Sequence, residues 1–238
     1  MIGRRDGAPI PPVNLVGDFG GGGMLLAVGV LAGIVQARDT GTGQVVDAAM
    51  VDGSALLASM IYGFKAMGLW DGGRGANMLD TGSHYYDVYE TADGKYITLG
   101  GIEPQFYAEM LERLGFDEGD FDAQHDANQW PAYSEKIAAR VREKTRAEWD
   151  EVFVDSDACY APVLDMEEAP THPHNAERET FINVAGVTQP APAPRFSATP
   201  TATPAPPAHA GQHTDEVLAD WGFAEDEIAE LRASEAIA

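Results

Sequence analysis

The sequence has almost no cysteine: Cys159 is the single one among 238 residues. An internal disulfide is therefore excluded, and a chain without disulfides suits a reducing compartment. A secretory signal is missing as well, because no apolar stretch precedes the prolines of the opening residues MIGRRDGAPIPPVN. These absences predict a cytoplasmic protein.

Positive charge is scarce too. The chain carries 15 lysines and arginines against 38 aspartates and glutamates, which gives a formal net charge of -23. A field of this sign repels phosphate backbones and anionic lipid headgroups. We therefore expect neither nucleic acid nor a membrane surface as a partner, and we expect an acidic, well-solvated protein surface instead.

Long hydrophobic runs fall just short of a membrane span. The longest run, residues 20–35, has 16 residues and is rich in glycine, whereas a membrane-spanning helix needs roughly 18 or more. Residues 24–38 are apolar on every side of a helix, which is typical of a helix buried inside a protein. The sequence therefore predicts a buried core helix.

The first third of the chain, beyond this helix, alternates between strand and helix signals. QVVDAAM predicts a short strand, and a second helix follows from near Asp52. Hydrophobic residues make up 45% of the chain, as in a globular protein. The pattern predicts the α/β fold class.

The remainder gives clearer local signals. HYYDVYETADGKYITLGG predicts a β-hairpin whose two strands are joined by Ala92-Asp93-Gly94. A helix then begins at Pro104 and ends at Gly115, with one apolar face formed by Phe106, Met110, Leu111 and Leu114. One or two helices follow within residues 131–157, and the proline-rich residues 189–207 predict an extended linker before two short helices at the end.

The glycine-rich stretch GDFGGGGM resembles a phosphate-binding loop only superficially. No strand precedes it, and Met24 stands where a P-loop requires lysine. The carboxylate of Asp18 would also repel phosphates. Phosphate binding is therefore not expected here.

Asp18 has two other interpretations. A carboxylate at a helix N-terminus is stabilised as the anion, and glycines allow backbone N–H groups to approach a substrate oxyanion closely. Asp18 would then be a base or nucleophile, beside substrate-binding glycines, which are Gly20, Gly21, Gly22 and Gly23. The alternative is an ordinary acidic N-cap.

Glu103 raises a similar question, because it directly precedes Pro104 at a predicted helix start. Its carboxylate could simply favour the helix dipole. It could instead reach away from the helix and orient a histidine. The residues around Glu103 leave both interpretations open.

Other candidates carry weaker signals. His172 and His174 could bind a metal, but no third ligand stands at a recognisable spacing, so a proline turn is favoured and no metal site is expected. Cys159 is interpreted as a small buried hydrophobe. Five methionines could line an acyl pocket or belong to an ordinary core; they are Met24, Met50, Met60, Met67 and Met78.

Four stretches together resemble the α-methylacyl-CoA racemases of the family III CoA-transferase superfamily. They are GDFGGGGM, TGTGQVVDAAMVDG, NMLDTGSHYYDVYETADGKYITLGGIEPQFY and HPHNAERETF. The resemblance continues to the end of the chain in HTDEVLADWGFAEDEIAELRASEAI. GGIEPQFY is the part that favours racemases over transferases.

The resemblance implies a cofactor-free proton transfer at the α-carbon of a 2-methylacyl-CoA thioester, within fatty acid metabolism. Asp18 matches the family's catalytic aspartate, and Glu103 matches the glutamate that binds the catalytic histidine. That histidine lies in an upstream segment of the family. None of the six histidines here matches it; they are His84, His125, His172, His174, His209 and His213.

The resemblance also implies a domain organisation. Residues 1–68 correspond to part of a Rossmann-like large domain with connecting helices, and residues 69–185 to a small α+β domain. Residues 186–238 form a linker and a segment that returns to the large domain. The full-length protein is expected to be an interlocked homodimer, and this chain to be the C-terminal two-thirds of a racemase.

Two alternatives stay open. In a CoA-transferase, Asp18 would attack the acyl-CoA as a nucleophile. In a protein of another class, the chain would be an inactive fragment or interaction subunit that folds with a partner.

Overall fold

The computed structural model describes residues 2–237 and has a mixed α/β fold. Its contacts divide the chain into two compact units, of which the first ends at Val163 and the second begins at Leu164. This boundary lies inside the predicted small domain of residues 69–185, and the predicted three-part division stays a prediction.

The first unit opens with helices. A π-helical segment, Leu15–Met24, continues directly into helix α1, Leu25–Thr40, and both α2, Met50–Leu57, and α3, Ser59–Ala66, follow. The predicted helix of residues 24–38 is thus confirmed but begins earlier. The helix predicted from near Asp52 begins at Met50 and is interrupted at Ala58, so it forms two helices.

The predicted strand QVVDAAM is wrong, because residues 42–49 contain no regular structure. Val46 packs instead against glycines of α1. A Cβ atom at Gly29 would lie 2.6 Å from Val46 Cγ1, and one at Gly33 would lie 3.5 Å from Val46 Cγ2. The glycines therefore form a groove on α1 that holds the valine, and this segment follows the helix rather than a sheet.

The predicted burial of the first helix is also wrong for this chain. None of the residues of α1 is buried, and large apolar side chains such as Leu31, at 64% exposure, face outward. The π-helical segment and α1 together form one helix, Leu15–Thr40, of 26 residues. It is the one helix within residues 2–237 that is long and apolar enough to cross a membrane. Core helices of soluble proteins pass the same test, so length and composition alone place no membrane here.

The rest of the first unit is a three-stranded antiparallel sheet with helices. Strands β1, Tyr86–Glu90, and β2, Tyr96–Gly100, form the predicted hairpin, in which Glu90 pairs with Tyr96. Strand β3, Tyr160–Val163, pairs with β2 on its other side. The helices are α4, Pro104–Leu114, α5, Trp130–Val141, and α6, Arg146–Val152.

The core of this unit lies between the sheet and these helices. Helix α4 ends, as predicted, at Gly115, whose φ of 78° is in the left-handed region. Its buried face consists of Tyr107, Met110, Leu111 and Leu114, while Phe106 is half-buried. The core also contains Tyr89, Ile97 and Leu99 of the sheet and the fully buried Trp149 of α6.

The second unit contains short elements. They are α7, Pro173–Glu177, the hairpin strands β4, Phe181–Val184, and β5, Val187–Pro190, and the helices α8, Thr214–Asp220, and α9, Glu225–Ala233. Residues 191–208 have no helix or strand, which agrees with the predicted extended linker. The two C-terminal helices are confirmed.

Candidate active site

Asp18 lies in the first turn of the π-helical segment, and its side chain is exposed. The N-cap residue is Asn14, and the N–H of Phe19 donates to the Asn14 carbonyl over 3.2 Å. The interpretation of Asp18 as the N-cap is therefore wrong. Its carboxylate still lies at the positive end of a long helix, where the dipole favours a negative charge.

The four glycines after Asp18 lie inside the helical segment, and Gly21 and Gly22 are buried. In a π-helix each N–H bonds to the carbonyl five residues earlier, so the N–H groups of these residues run along the helix. The predicted substrate-binding role of Gly20, Gly21, Gly22 and Gly23 stays a prediction.

These glycines allow a close approach to α2. A Cβ atom at Gly53 would lie 1.9 Å from the Gly21 carbonyl oxygen, and one at Gly21 would lie 2.8 Å from the Ser54 backbone nitrogen. Real Cβ atoms do not approach backbone atoms so closely, so neither position has room for a side chain. The Gly21–Gly53 contact thus fixes the helix that carries Asp18. No motif in the sequence indicates this role of Gly53, because the contact joins two separate helices.

Glu103 stands at a tight corner between β2 and α4. Its backbone is extended, with φ -71° and ψ 143°, and Pro104 occupies the first turn of the helix. Its carbonyl accepts the N–H of Tyr107 over 2.9 Å, while its side chain makes no capping hydrogen bond. The exposed carboxylate is therefore available to a group outside this helix.

Asp18 and Glu103 belong to different parts of the first unit. The helix of Asp18 packs against α2, whereas Glu103 joins the sheet to α4. No hydrogen bond connects the two side chains within residues 2–237. A cavity of about 260 Å³ lies beside the Glu103 corner and is lined by Pro104, Tyr107, Ala108, Leu111, Phe121, Asp122 and Gln124.

His84 is a core residue with no exposed surface. Its Nε2 lies 2.7 Å from the Tyr107 hydroxyl, and its Nδ1 has no hydrogen-bond partner within the described residues. Burial, with a smaller effect of His125, lowers the pKa of His84 to about 4. The ring is therefore neutral near pH 7 and structural.

The remaining candidates lie elsewhere. Cys159 is exposed, so its interpretation as a buried hydrophobe is wrong; Ala158 takes the buried position next to it. Partial desolvation of the thiol, and then the Glu103 and Asp157 carboxylates, raise the pKa of Cys159. His172 precedes α7, and residues 2–237 contain no cluster of three potential metal ligands.

Four of the five methionines considered for an acyl pocket lie outside the core. Met24, Met50, Met60 and Met67 are all more than half exposed, whereas Met78 packs partly against the core. Within this chain, four of the five are therefore available to a partner or a ligand.

Known proteins resemble this chain over most of its length. The family model described as CoA-transferase family III matches residues 1–214. The mouse α-methylacyl-CoA racemase is 42% identical over 98% of this chain and the human one 41% identical over 99%. The chain spans 61% and 62% of these two relatives' lengths.

The fold is shared with solved structures. A CaiB/BaiF family protein from Brucella suis matches with a TM-score of 0.70 and 17% identity, over 92% of this chain and 59% of that one. At this identity the likeness concerns the fold alone. Because the family model matches most of its length, the chain belongs to CoA-transferase family III.

Proposed function

We propose that this chain is part of an α-methylacyl-CoA racemase that interconverts the two epimers of a 2-methylacyl-CoA thioester. The observation that carries the proposal is the identity of 41–42% to two proteins named as such racemases, over nearly the whole chain. The proposed protein is a cytoplasmic homodimer of fatty acid metabolism that needs no cofactor.

In the proposed reaction, Asp18 and a histidine stand on opposite faces of the α-carbon. Asp18 accepts the α-proton, and the electron pair of the broken C–H bond moves into an enolate of the thioester. The histidine then returns a proton to the other face, and the reverse direction exchanges their roles. The exposed Asp18 carboxylate at the positive end of its helix suits a base that must carry negative charge.

Glu103 is proposed to hydrogen-bond this histidine. Its side chain is exposed and makes no capping bond, so the carboxylate can meet a group from outside the described residues. A neighbouring carboxylate raises the pKa of a histidine and fixes its orientation. The histidine itself is expected from a segment upstream of this chain.

The proposal can be tested on an extended protein, defined as this chain joined at its N-terminus to a segment that supplies the expected histidine. In deuterated buffer, a single epimer of a 2-methylacyl-CoA should gain α-deuterium and form the other epimer. The chain alone should do neither, because none of its six histidines matches the catalytic one of the family. It should also self-associate through the exposed apolar side chains of α1. Failure of the extended protein to exchange the α-proton would contradict the proposal.

A CoA-transferase is the second candidate, because the matched family is described by that activity. Asp18 would then attack the thioester carbonyl and take the acyl group as a mixed anhydride, while the C–S bond breaks and CoA leaves as the thiolate. Mass spectrometry of the extended protein after mixing with acyl-CoA decides between them: an Asp18 adduct without α-exchange favours the transferase. The third candidate, an inactive interaction subunit, would show neither the Asp18 adduct nor α-proton exchange.

Glu103→Gln should slow racemisation and, in the direction in which the protonated histidine returns the proton, move the alkaline limb of the pH–rate profile to lower pH. The reason is that the histidine loses the carboxylate that raises its pKa. Glu112→Gln, an exposed position on the same helix, is the matched control. If Glu103 served only the helix start, the pH profile would stay unchanged and the free energy of unfolding would fall by about 1 kcal/mol or less.

A further inference from the structure

The corner that carries Glu103 is held by contacts of its backbone. Residues 101–103 connect the last residue of β2 to the first residue of α4, and the N–H of Ile102 donates to the Gly100 carbonyl over 2.9 Å. Gly101 is buried, and a Cβ atom there would lie 3.3 Å from both the Phe106 carbonyl oxygen and Tyr107 Cα. The corner therefore lies directly against the first turn of α4.

The carbonyls of this corner point to a side chain from a distant loop. Nε2 of Gln124 donates to the Ile102 carbonyl over 2.8 Å and lies 3.4 Å from the Gly101 carbonyl. A carboxamide nitrogen carries two hydrogens, so it can serve both oxygens. The shorter contact is the stronger one.

Gln124 is itself fixed in place. Nε1 of Trp130 donates to the Gln124 carbonyl over 2.7 Å, and Trp130 is 8% exposed at the start of α5. The buried indole thus anchors the loop backbone, and the loop directs its carboxamide to the corner. A chain of two hydrogen bonds connects a core residue to the peptide immediately before Glu103.

We propose that Gln124 is a positioning residue, whose carboxamide holds the backbone corner from which the Glu103 carboxylate reaches the histidine. This inference rests on the proposed function of Glu103. The Glu103 side chain makes no hydrogen bond of its own within residues 2–237, so its backbone is what fixes the point from which the carboxylate extends. That backbone is held on one side by α4 and on the other by Gln124.

Cys159 supplies a readout that does not depend on racemase activity. It is the only cysteine of the chain and is exposed, so alkylation reports on one site. Cys159 lies beside the corner, because a Cβ atom at Gly100 would be 3.5 Å from Cys159 Cβ. After partial burial, the Glu103 carboxylate is the next cause that raises the pKa of the Cys159 thiol. Glu103→Gln should therefore lower the thiol pKa, measured from the alkylation rate against pH on the 238-residue chain.

Gln124→Met removes both hydrogen bonds with a neutral side chain of similar length. We expect it to move the thiol pKa in the same direction as Glu103→Gln, and to have no further effect when Glu103→Gln is already present. Gln129→Met, the same change at an exposed position before α5, should leave the thiol pKa unchanged. A thiol pKa that responds to Glu103→Gln but not to Gln124→Met overturns the proposal.

In the extended protein, Gln124→Met should lower kcat about tenfold to a hundredfold with little change in KM, because a misplaced orienting group affects the reaction rather than binding. The pH–rate profile should shift as it does for Glu103→Gln, and the double variant should be no slower than Glu103→Gln alone. If the double variant were slower than Glu103→Gln alone and Gln124→Met left the pH–rate profile unshifted, Gln124 would only stabilise the fold. If the extended protein does not racemise at all, the proposed function fails while the thiol measurement still tests the positioning.

Discussion

Asp18→Asn in the extended protein should reduce the rate of racemisation by roughly two to four orders of magnitude, the usual contribution of a positioned acid or base. The amide has the shape of the carboxylate but cannot accept the α-proton. Folding should be nearly unaffected, because Asp18 is exposed and is not the N-cap of its helix. Two measurements check this prediction on the variant and the wild-type protein: the turnover of each epimer and the thermal unfolding curve.

Asp52→Asn is the matched control, because Asp52 is an exposed aspartate in the first turn of the neighbouring helix α2. It makes the same change of charge without touching the proposed base. Near wild-type turnover of Asp18→Asn in both directions would contradict the assignment of Asp18.

Gly53→Ala should have the second large effect, through the packing of the helix that carries Asp18. The added methyl group would lie 1.9 Å from the Gly21 carbonyl oxygen, which is a backbone atom and cannot move away alone. Overpacking of this kind costs roughly 1–3 kcal/mol. We expect lower stability of the 238-residue chain in denaturant unfolding and slower racemisation by the extended protein, because Asp18 is displaced with its helix.

Gly63→Ala provides the opposite control. Gly63 lies within α3, and a Cβ atom there would meet nothing within 4 Å. The substitution should stabilise the helix by about 0.5–1 kcal/mol, because glycine is a poor helix former. If both substitutions had the same effect on stability, the Gly21–Gly53 contact would not be the constraint that the structure indicates.

The parts of the fold that local signals determine could be predicted from the sequence. The hairpin turns at Asp93-Gly94, and α4 begins at Pro104 and ends at Gly115, because these residues fix turn and helix ends by their own backbone preferences. Strand β3 was not predicted, since it depends on pairing with β2 from far along the chain. The hairpin of β4 and β5 was also missed, because its turn places Ala185 at φ 51°, where asparagine or glycine is usual.

The glycine-rich start of the first helix shows how packing overrides propensity. Four consecutive glycines argue against a helix, yet Leu15–Met24 is helical because its glycines let the backbone approach α2. The same contact explains why Asp18 lies within a helical turn rather than before one.

The candidate site was predictable only in part. Asp18 and Glu103 could be named from the motifs that contain them, together with the resemblance those motifs carry. Gln124 could not, because it contacts the Glu103 corner from 22 residues further along the chain. Such a contact becomes visible only when the loop before α5 has been placed against the end of β2.

The most direct test of Asp18 as one of two bases is α-proton exchange by the Asp18→Asn extended protein, measured separately on each pure epimer in deuterated buffer. In one of the two epimers the α-proton faces the histidine. The histidine should still remove this proton and should return deuterium to the same face of the α-carbon. We therefore predict exchange without inversion for one epimer and none for the other. Equal exchange of both epimers, or unchanged inversion, would contradict the account.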